Sequence, residues 1–373
     1  MTDPQLHDRL HRAADPIDAD PEARLDSLHA GARSRARRRK AAGLTTGVAV
    51  ALLVATVAWQ MRPGGARVAG AGSTLSGTMA YFSYDGGAPG MSVRARTFGG
   101  SDAEIVAVNN FSPVEFSPDG TQLAYAQRAG DGTAMTVANA DGSNAHEVGH
   151  GLGAEQLSWS PDGTRLAFIA RPGGDVAGND VSILDLVTGD VTRLPGADGY
   201  WWQQIAWSPD GSQIALAGEL LKPDSANGIY LLPLDGGALT PLKTDLNWTE
   251  FMDWSPDGTQ LALSVRQSPM TSDPGDYQWD VAVINADGSG FTQLTNRPGW
   301  DNFPVWSPDG QWIAFSSDRD ASAAQLQMNG SPEPPNGTFG GVGTYVMRPD
   351  GTDVQPVLLA GDGALAVATD WKS

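Results

Sequence analysis

An aromatic residue followed by Ser-Pro-Asp-Gly occurs five times in this chain: Phe116–Gly120, Trp159–Gly163, Trp207–Gly211, Trp254–Gly258 and Trp306–Gly310. The proline-to-proline spacings are 43, 48, 47 and 52 residues. Spacings of that size mark a repeat architecture, in which one unit cannot bury its apolar face alone but a set of neighbours can. Each copy runs into an alternating apolar stretch: QLAYAQ, RLAFIA, QIALAG, QLALSV or QWIAFSS. A variable loop follows, then a second apolar stretch such as YVMRPDG at Tyr345–Gly351, then a short strand such as FTQLT at Phe291–Thr295.

Ser-Pro-Asp-Gly suits a tight turn. Proline presets φ at the second position, aspartate accepts from nearby amides and glycine supplies φ > 0. Asn285-Ala286-Asp287-Gly288 and Arg348-Pro349-Asp350-Gly351 read as the same device at the other hairpin of their units. Gly and Pro together are 71 of 373 residues, a demand typical of many-turned β folds rather than helical ones. Four short strands per unit, alternating with period two, make one small twisted sheet, and a ring of such sheets buries their faces. The aromatic at the head of each motif is expected as a wedge between neighbouring sheets. Five motifs begin five blades. Gly77–Ser83 reads as the second strand of a sixth blade that lacks its first. Ala368–Ser373, ATDWKS, ends in the start of the motif and is expected to supply that strand. The expected fold is therefore all-β: a six-bladed propeller of four-stranded blades over 77–373, closed by the C-terminal strand.

These motifs, with the N-A-D-G-S turns, resemble the TolB-like, WD-repeat-type β-propeller family. The resemblance covers Gly77 to Ser373 and is specific for the fold. Propellers of this type serve as periplasmic scaffolds, substrate gates and a few enzymes, so the resemblance implies no single activity. TolB carries a separate N-terminal α/β domain for which residues 1–76 give no room, so a role in the Tol–Pal system is not expected. Related propellers on serine peptidases are followed by a hydrolase domain, and no G-x-S-x-G occurs here.

The charge is unevenly distributed. Residues 1–40 carry nine basic and seven acidic residues, with Arg33, Arg35, Arg37, Arg38, Arg39 and Lys40 clustered. From Pro63 onward 14 basic residues face 36 acidic ones, a net charge of −22. Such a surface repels phosphate backbones, so nucleic acid is not an expected partner. After the basic cluster, AAGLTTGVAVALLVATVAW at Ala41–Trp59 carries no charge. At 1.5 Å per residue it spans about 29 Å, close to a bilayer core. The basic flank predicts a cytoplasmic N-terminus. An uncleaved anchor is expected rather than a cleaved signal. The preceding region is forty residues long, and the small-x-small site Ala69-Gly70-Ala71 lies far beyond the apolar run. The expected organisation is a cytoplasmic basic and helical segment (1–40), a transmembrane helix (41–60), a flexible linker (61–76) and an extracytoplasmic propeller. Asp3-Pro4 and Asp20-Pro21 read as helix starts, with Leu6/Leu10 and Leu25/Leu28 as small apolar stripes. With the anchor, this arrangement resembles anti-sigma-type membrane regulators and implies a possible cytoplasmic partner at 1–40; the plainer role is a tail that orients the anchor.

The first–second and third–fourth strand turns of a blade lie on one face and are short here. The second–third connections lie on the other and include Ala170–Asp180, Gly218–Asn227, Val265–Trp279 and Asp318–Gly343. Long variable loops on a rigid ring make the default binding face. Six positions before the motif aromatic, three consecutive blades carry Trp201, Trp248 and Trp300. Four positions before it stand Ser112, Glu155, Gln203, Glu250, Asn302 and Val367. Even offsets place side chains on one side of a strand. The expectation is a polar ring at the channel mouth with indoles beside it, Tyr200, Trp202 and Asp301 adjacent. Such indoles either stack on a ligand or seal loops onto the blade tops. No catalytic residues are nominated, because no acid–base pair stands out among the acids. His146 and His150 have no third partner for a metal, and turn chemistry accounts for the Asp-Gly turns and Asp318-Arg319-Asp320. Zero Cys excludes disulfides, Cys-ligated metals and a Cys nucleophile. The expected function is a non-catalytic scaffold, with no cofactor, that binds a protein or cell-envelope ligand. A transmembrane sensor-regulator and a glycan- or peptide-acting enzyme on the channel are the alternatives.

Overall fold

The structure is a computed structural model that describes residues 67–68, 75–84, 91–99, 102–108, 114–129, 132–170, 178–220, 227–246, 248–266, 278–320, 342–359 and 365–373. Residues 1–60, which include the expected cytoplasmic segment and transmembrane helix, lie outside these. Among the described residues no helix is long and apolar enough to cross a membrane.

Six antiparallel sheets form a closed ring. Blade 1 consists of Leu365–Lys372, Thr78–Tyr84, Met91–Thr97 and Asp102–Val108, from the axis outward. Blade 2 is Val114–Phe116, Gln122–Ala129, Gly132–Asn139 and His146–His150. Blade 3 is Ala154–Trp159, Arg165–Ala170, Asp180–Asp185 and Val191–Arg193. Blade 4 is Tyr200–Trp207, Gln213–Leu220, Asn227–Pro233 and Thr240–Leu246. Blade 5 is Thr249–Trp254, Gln260–Arg266, Trp279–Asn285 and Thr292–Gln293. Blade 6 is Asp301–Trp306, Ile313–Ser317, Gly343–Met347 and Gln355–Leu359. The expected clasp is present: Leu365–Lys372 pairs with Thr78–Tyr84, from Thr78 opposite Lys372 to Tyr84 opposite Leu365. One feature differs from the sequence reading. Within the stretch read as a flexible linker, Arg67–Val68 pairs with Leu359 and Leu358 and adds a fifth, outermost strand to blade 6.

The repeated turn closes by the same bonds each time. The glycine N–H donates to the serine carbonyl at 2.7 to 2.9 Å, and the five glycines have φ between +65° and +74°. The serine Oγ donates to the aspartate, as in Ser160 to Asp162 at 2.5 Å and Ser208 to Asp210 at 2.7 Å. The same Oγ accepts the N–H that opens the next strand, as from Arg165 at 2.9 Å and Gln213 at 3.1 Å. The aspartate also accepts the backbone N–H two residues on, at 3.0 Å in all five copies. These donors favour the ionised form and hold the Asp162 carboxyl down at about 2, with the Ser160 hydroxyl the largest cause. The second turn device is also as expected: in Asn139–Ser143 and Asn285–Ser289 the Asn side chain donates to the Ser hydroxyl.

The core consists of six apolar clusters, one at each blade interface. Every motif aromatic is a member of the cluster between its own blade and the preceding one. Trp159 packs with Ala124, Met135 and Val137 of blade 2. Trp207 packs with Ala167, Ile169 and Val181 of blade 3. Trp371 packs with Val305, Ala314 and Val346 of blade 6. Two of the indoles also donate across the interface, Trp159 Nε1 to Glu115 O at 3.1 Å and Trp254 Nε1 to Ala206 O at 3.2 Å. Burying such a ring contributes roughly 2–3 kcal/mol from area alone.

Ser208→Ala removes the acceptor of the Gln213 N–H and the donor to Asp210 in one step. The expected cost is about 1–3 kcal/mol, read as a lower midpoint in chemical or thermal unfolding with no change in the circular-dichroism spectrum of the folded protein.

Candidate functional site: the axial cavity and the loop face

The innermost strand of each blade pairs on one side only, and its other edge faces the axis. Unpaired N–H groups along such an edge need acceptors. They find them in the residue immediately before the motif aromatic of the neighbouring blade. Asp370 of blade 1 accepts the Phe116 N–H of blade 2 at 2.5 Å. Glu115 of blade 2 accepts the Trp159 N–H of blade 3 and a bond from the Ser158 hydroxyl. Ser158 Oγ accepts the Trp207 N–H of blade 4 at 3.1 Å. Asp253 of blade 5 accepts the Trp306 N–H of blade 6 at 2.7 Å. Ala206 and Val305 occupy the same position in blades 4 and 6, so the ring of bonds is interrupted there.

These residues border an axial cavity of about 210 Å³. The next layer along the strands supplies Gln156, Gln204, Phe251, Phe303 and Ala368, and Pro118 shows that the cavity reaches the side of the Ser-Pro-Asp-Gly turns. The three carboxyls touch the cavity and are enclosed by protein elsewhere. Burial is the largest cause of their shifts: it lifts Asp253 to about 7 and Asp370 to about 6, and raises Glu115 well above the carboxylate range. The mutual repulsion of Glu115 with Asp370 and Asp253 adds to the rise, and the donated N–H groups oppose it.

The expected polar ring at even offsets is not what lines the cavity; the residues one and three before the aromatic do. Even offsets share the wedge side of the strand, as Ile205 and Trp207 do against blade 3, and further from the aromatic the innermost strand is bulged. Glu155 is the extra residue in blade 3, Gln203 in blade 4 and Thr369 in blade 1. The ladder slips across Glu250 and Phe251 in blade 5 and across Phe303 and Pro304 in blade 6. One inserted residue reverses the facing of everything beyond it. Ser112 and the side chains of Glu155 and Glu250 lie outside the described residues. Val367 is buried in the core between blades 1 and 2.

Three further expected ligand contacts are buried. Trp202 is 1% exposed: its Nε1 donates to Ala197 O at 2.8 Å, its ring stacks on Tyr200 at 4.4 Å, and Asn179 clips its backbone at 2.7 and 2.6 Å. Asp301 is 0% exposed because Arg297 Nε, Arg319 Nη2 and the Ser317 hydroxyl all converge on it, at 3.3, 3.3 and 2.5 Å. Arg297 also pairs with the buried Asp318. Asn302 is buried and its Oδ1 accepts the N–H of Phe303, at 2.7 Å, where the backbone takes φ +56°. Tyr200, Trp201, Gln203, Trp248 and Trp300 are half-buried at the end of the innermost strands where the longer connections run. Trp300 meets Phe303 of its own blade edge-on at 5.5 Å. Among the described residues no three His, Asp or Glu stand close enough to hold a metal ion.

TolB from Acinetobacter baumannii superposes with a TM-score of 0.61 at 19% identity, over 79% of this chain. The chain spans 66% of that protein, just under two thirds of its length. A TolB described as putative, from Agrobacterium tumefaciens, gives 0.55 at 18% identity, over 79% of this chain and 98% of the other. By structure, this is a TolB-like six-bladed β-propeller. An oligogalacturonate lyase from Vibrio parahaemolyticus matches at 0.47 and 13% identity, over 76% of this chain and 74% of its own, and a match at that level carries no argument about activity. No protein-family model and no curated protein matches the chain.

The TolB-like ring carries its axial acids at a cost that depends on pH. Their folded values lie above the unfolded ones, so the folded state holds extra protons between about pH 4 and 7. Stability attributable to Asp253 and Asp370 is therefore greatest below about pH 4 and falls as pH rises through 6 to 7. Asp253→Asn keeps an acceptor for the Trp306 N–H without the charge. It is expected to flatten that decline and to raise the melting temperature at pH 8. Asp253→Ala strands the N–H and is expected to cost about 1–3 kcal/mol at every pH.

Proposed function

We propose that this chain is a membrane-anchored, extracytoplasmic β-propeller that binds a protein or a cell-envelope ligand through the face carrying its long connections, without catalysing a reaction. The observation that carries the reading is the difference between the two faces. On one, turns of a single type join the first and second strands, five residues long in blades 2 to 5 and six in blade 6. On the other, the second and third strands are separated by nine residues in blade 3, six in blade 4, twelve in blade 5 and twenty-five in blade 6. A rigid ring that spends its sequence variation on one face is built for recognition there. Trp201, Trp248 and Trp300 stand at that face on three consecutive blades. The axial carboxyls, the groups an acid–base catalyst would use, accept backbone N–H bonds that join blades. The uncharged stretch at 41–59 behind a basic cluster supports an anchor that leaves the acidic propeller outside.

The test is crosslinking of the full-length protein in its native membrane, with captured partners identified by mass spectrometry, beside a Trp201→Ala/Trp248→Ala/Trp300→Ala variant. The expected result is a set of extracytoplasmic partners that is lost in the variant while its melting temperature shows a folded ring. Partners that are cytoplasmic and indifferent to the three indoles overturn the reading.

A further inference from the structure

The axial cavity holds more binding chemistry than the blade contacts consume. At ~30 Å³ per water its volume suits about seven waters or one small organic molecule. Its wall bears three carboxyls and no Lys, Arg or His. Lys372, the basic residue next to Trp371, is not part of the wall: its Nζ lies 4.1 Å from the centre of the Phe116 ring and donates to Gly120 O, though its charge still favours the ionised Asp370 carboxylate. A carboxylate offers about four acceptor positions, and one or two N–H bonds leave some of them open.

A second observation is independent of the acids. Gln204 borders the cavity at 7% exposure. Thr369 Oγ1, on the same wall, is buried without a hydrogen-bond partner. A buried hydroxyl with no partner costs on the order of 1–3 kcal/mol, which a donor in the cavity would offset. Blade 5 stands opposite blade 2 in a ring of six, so Asp253 faces Glu115 across the cavity, with Asp370 beside Glu115. The acids stand too far apart for one metal ion. Phe251 and Phe303, whose rings approach to 3.9 Å between centroids, give the same wall an aromatic surface. Separated carboxylates with an aromatic face between them suit an extended organic cation.

We propose that the axial cavity binds a small organic ammonium ion, best a short linear diamine. One ammonium is held by Asp253 and the other by Glu115 and Asp370, with the Gln204 carbonyl oxygen accepting a further N–H and the methylenes against Phe251 and Phe303. Occupancy strengthens as the carboxyls ionise, so affinity rises from pH 5 to pH 8. The site is separate from the long-connection face, and its success or failure leaves that reading untouched.

The experiment is a titration of the purified full-length protein in detergent at pH 8, by calorimetry and by thermal shift. The probes are putrescine, ethylammonium and choline, with sodium and calcium chlorides at equal ionic strength. The expected result is saturable binding of putrescine, tighter than ethylammonium, weakened at least tenfold by Asp253→Asn and severalfold by Gln204→Leu. Since Asp253→Asn keeps the interblade bond, its loss of binding is readable in a folded protein. Gln204→Leu leaves all four interblade acceptors in place and serves as a second check. The proposal is overturned if no amine gives a saturable response, if both variants bind as wild type, or if calcium responds and the amines do not.

Discussion

The ring exists because two strands far apart in sequence meet. Leu365–Lys372 supplies the innermost strand of the blade whose other strands begin at Thr78. Without that pairing, blades 1 and 6 would each present an open apolar face, the surfaces now joined through Met79, Tyr81, Val305 and Trp371. The remaining interfaces repeat one local solution: an aromatic wedge, and an N–H caught by a side chain of the blade before it. Closure makes those local solutions mutually supporting, because in a ring no blade can move away from one neighbour without compressing another.

The axial bonds show how a propeller treats its inner edges. A free strand edge elsewhere invites another strand. Here the wedge geometry brings the edges too close for a strand to enter but leaves reach for a short side chain. Aspartate and glutamate do this best because they accept strongly, and the consequence is a cluster of carboxyls in a poorly solvated tube. The ring of bonds is interrupted at Ala206 and Val305, whose side chains have no acceptor to offer the next blade.

Blade count, blade order, the clasp and both turn types were legible in the sequence, since each depends on bonds within five residues or on a simple period. Trp159, Trp207 and Trp254 occupy the places their repeat position implied. The site was less legible. Even offsets from Trp207 face the neighbouring blade, as Ile205 shows, so counting in even steps put Gln203 in the channel where Gln204 stands, and nothing in the composition of Tyr200–Trp207 announces the bulge that follows. Asp301 looked like a surface acid because its partners, Arg297, Ser317 and Arg319, come together only when blades 5 and 6 fold. The column Glu115, Ser158, Asp253, Asp370 could have been found by aligning the repeats one position before the aromatic. Its chemistry could not, because the N–H it satisfies belongs to a different repeat.

The clasp also sets an order of events. Thr78 and Lys372 are partners separated by 294 positions, whereas a strand within a blade meets its neighbour across a handful of residues. Closing so long a loop costs about 3 kcal/mol more in chain entropy than closing a ten-residue hairpin. Blades 2 to 5 can each form and stack in sequence at low cost, like beads added to a thread. Blade 1 has to wait with three strands and an exposed inner edge until its fourth arrives. Throughout that interval the molecule is an open arc, whose two ends are as well matched to a second arc as to each other, so the same complementarity that locks one chain into a ring defines the geometry by which two chains would interlock if crowded while unfinished.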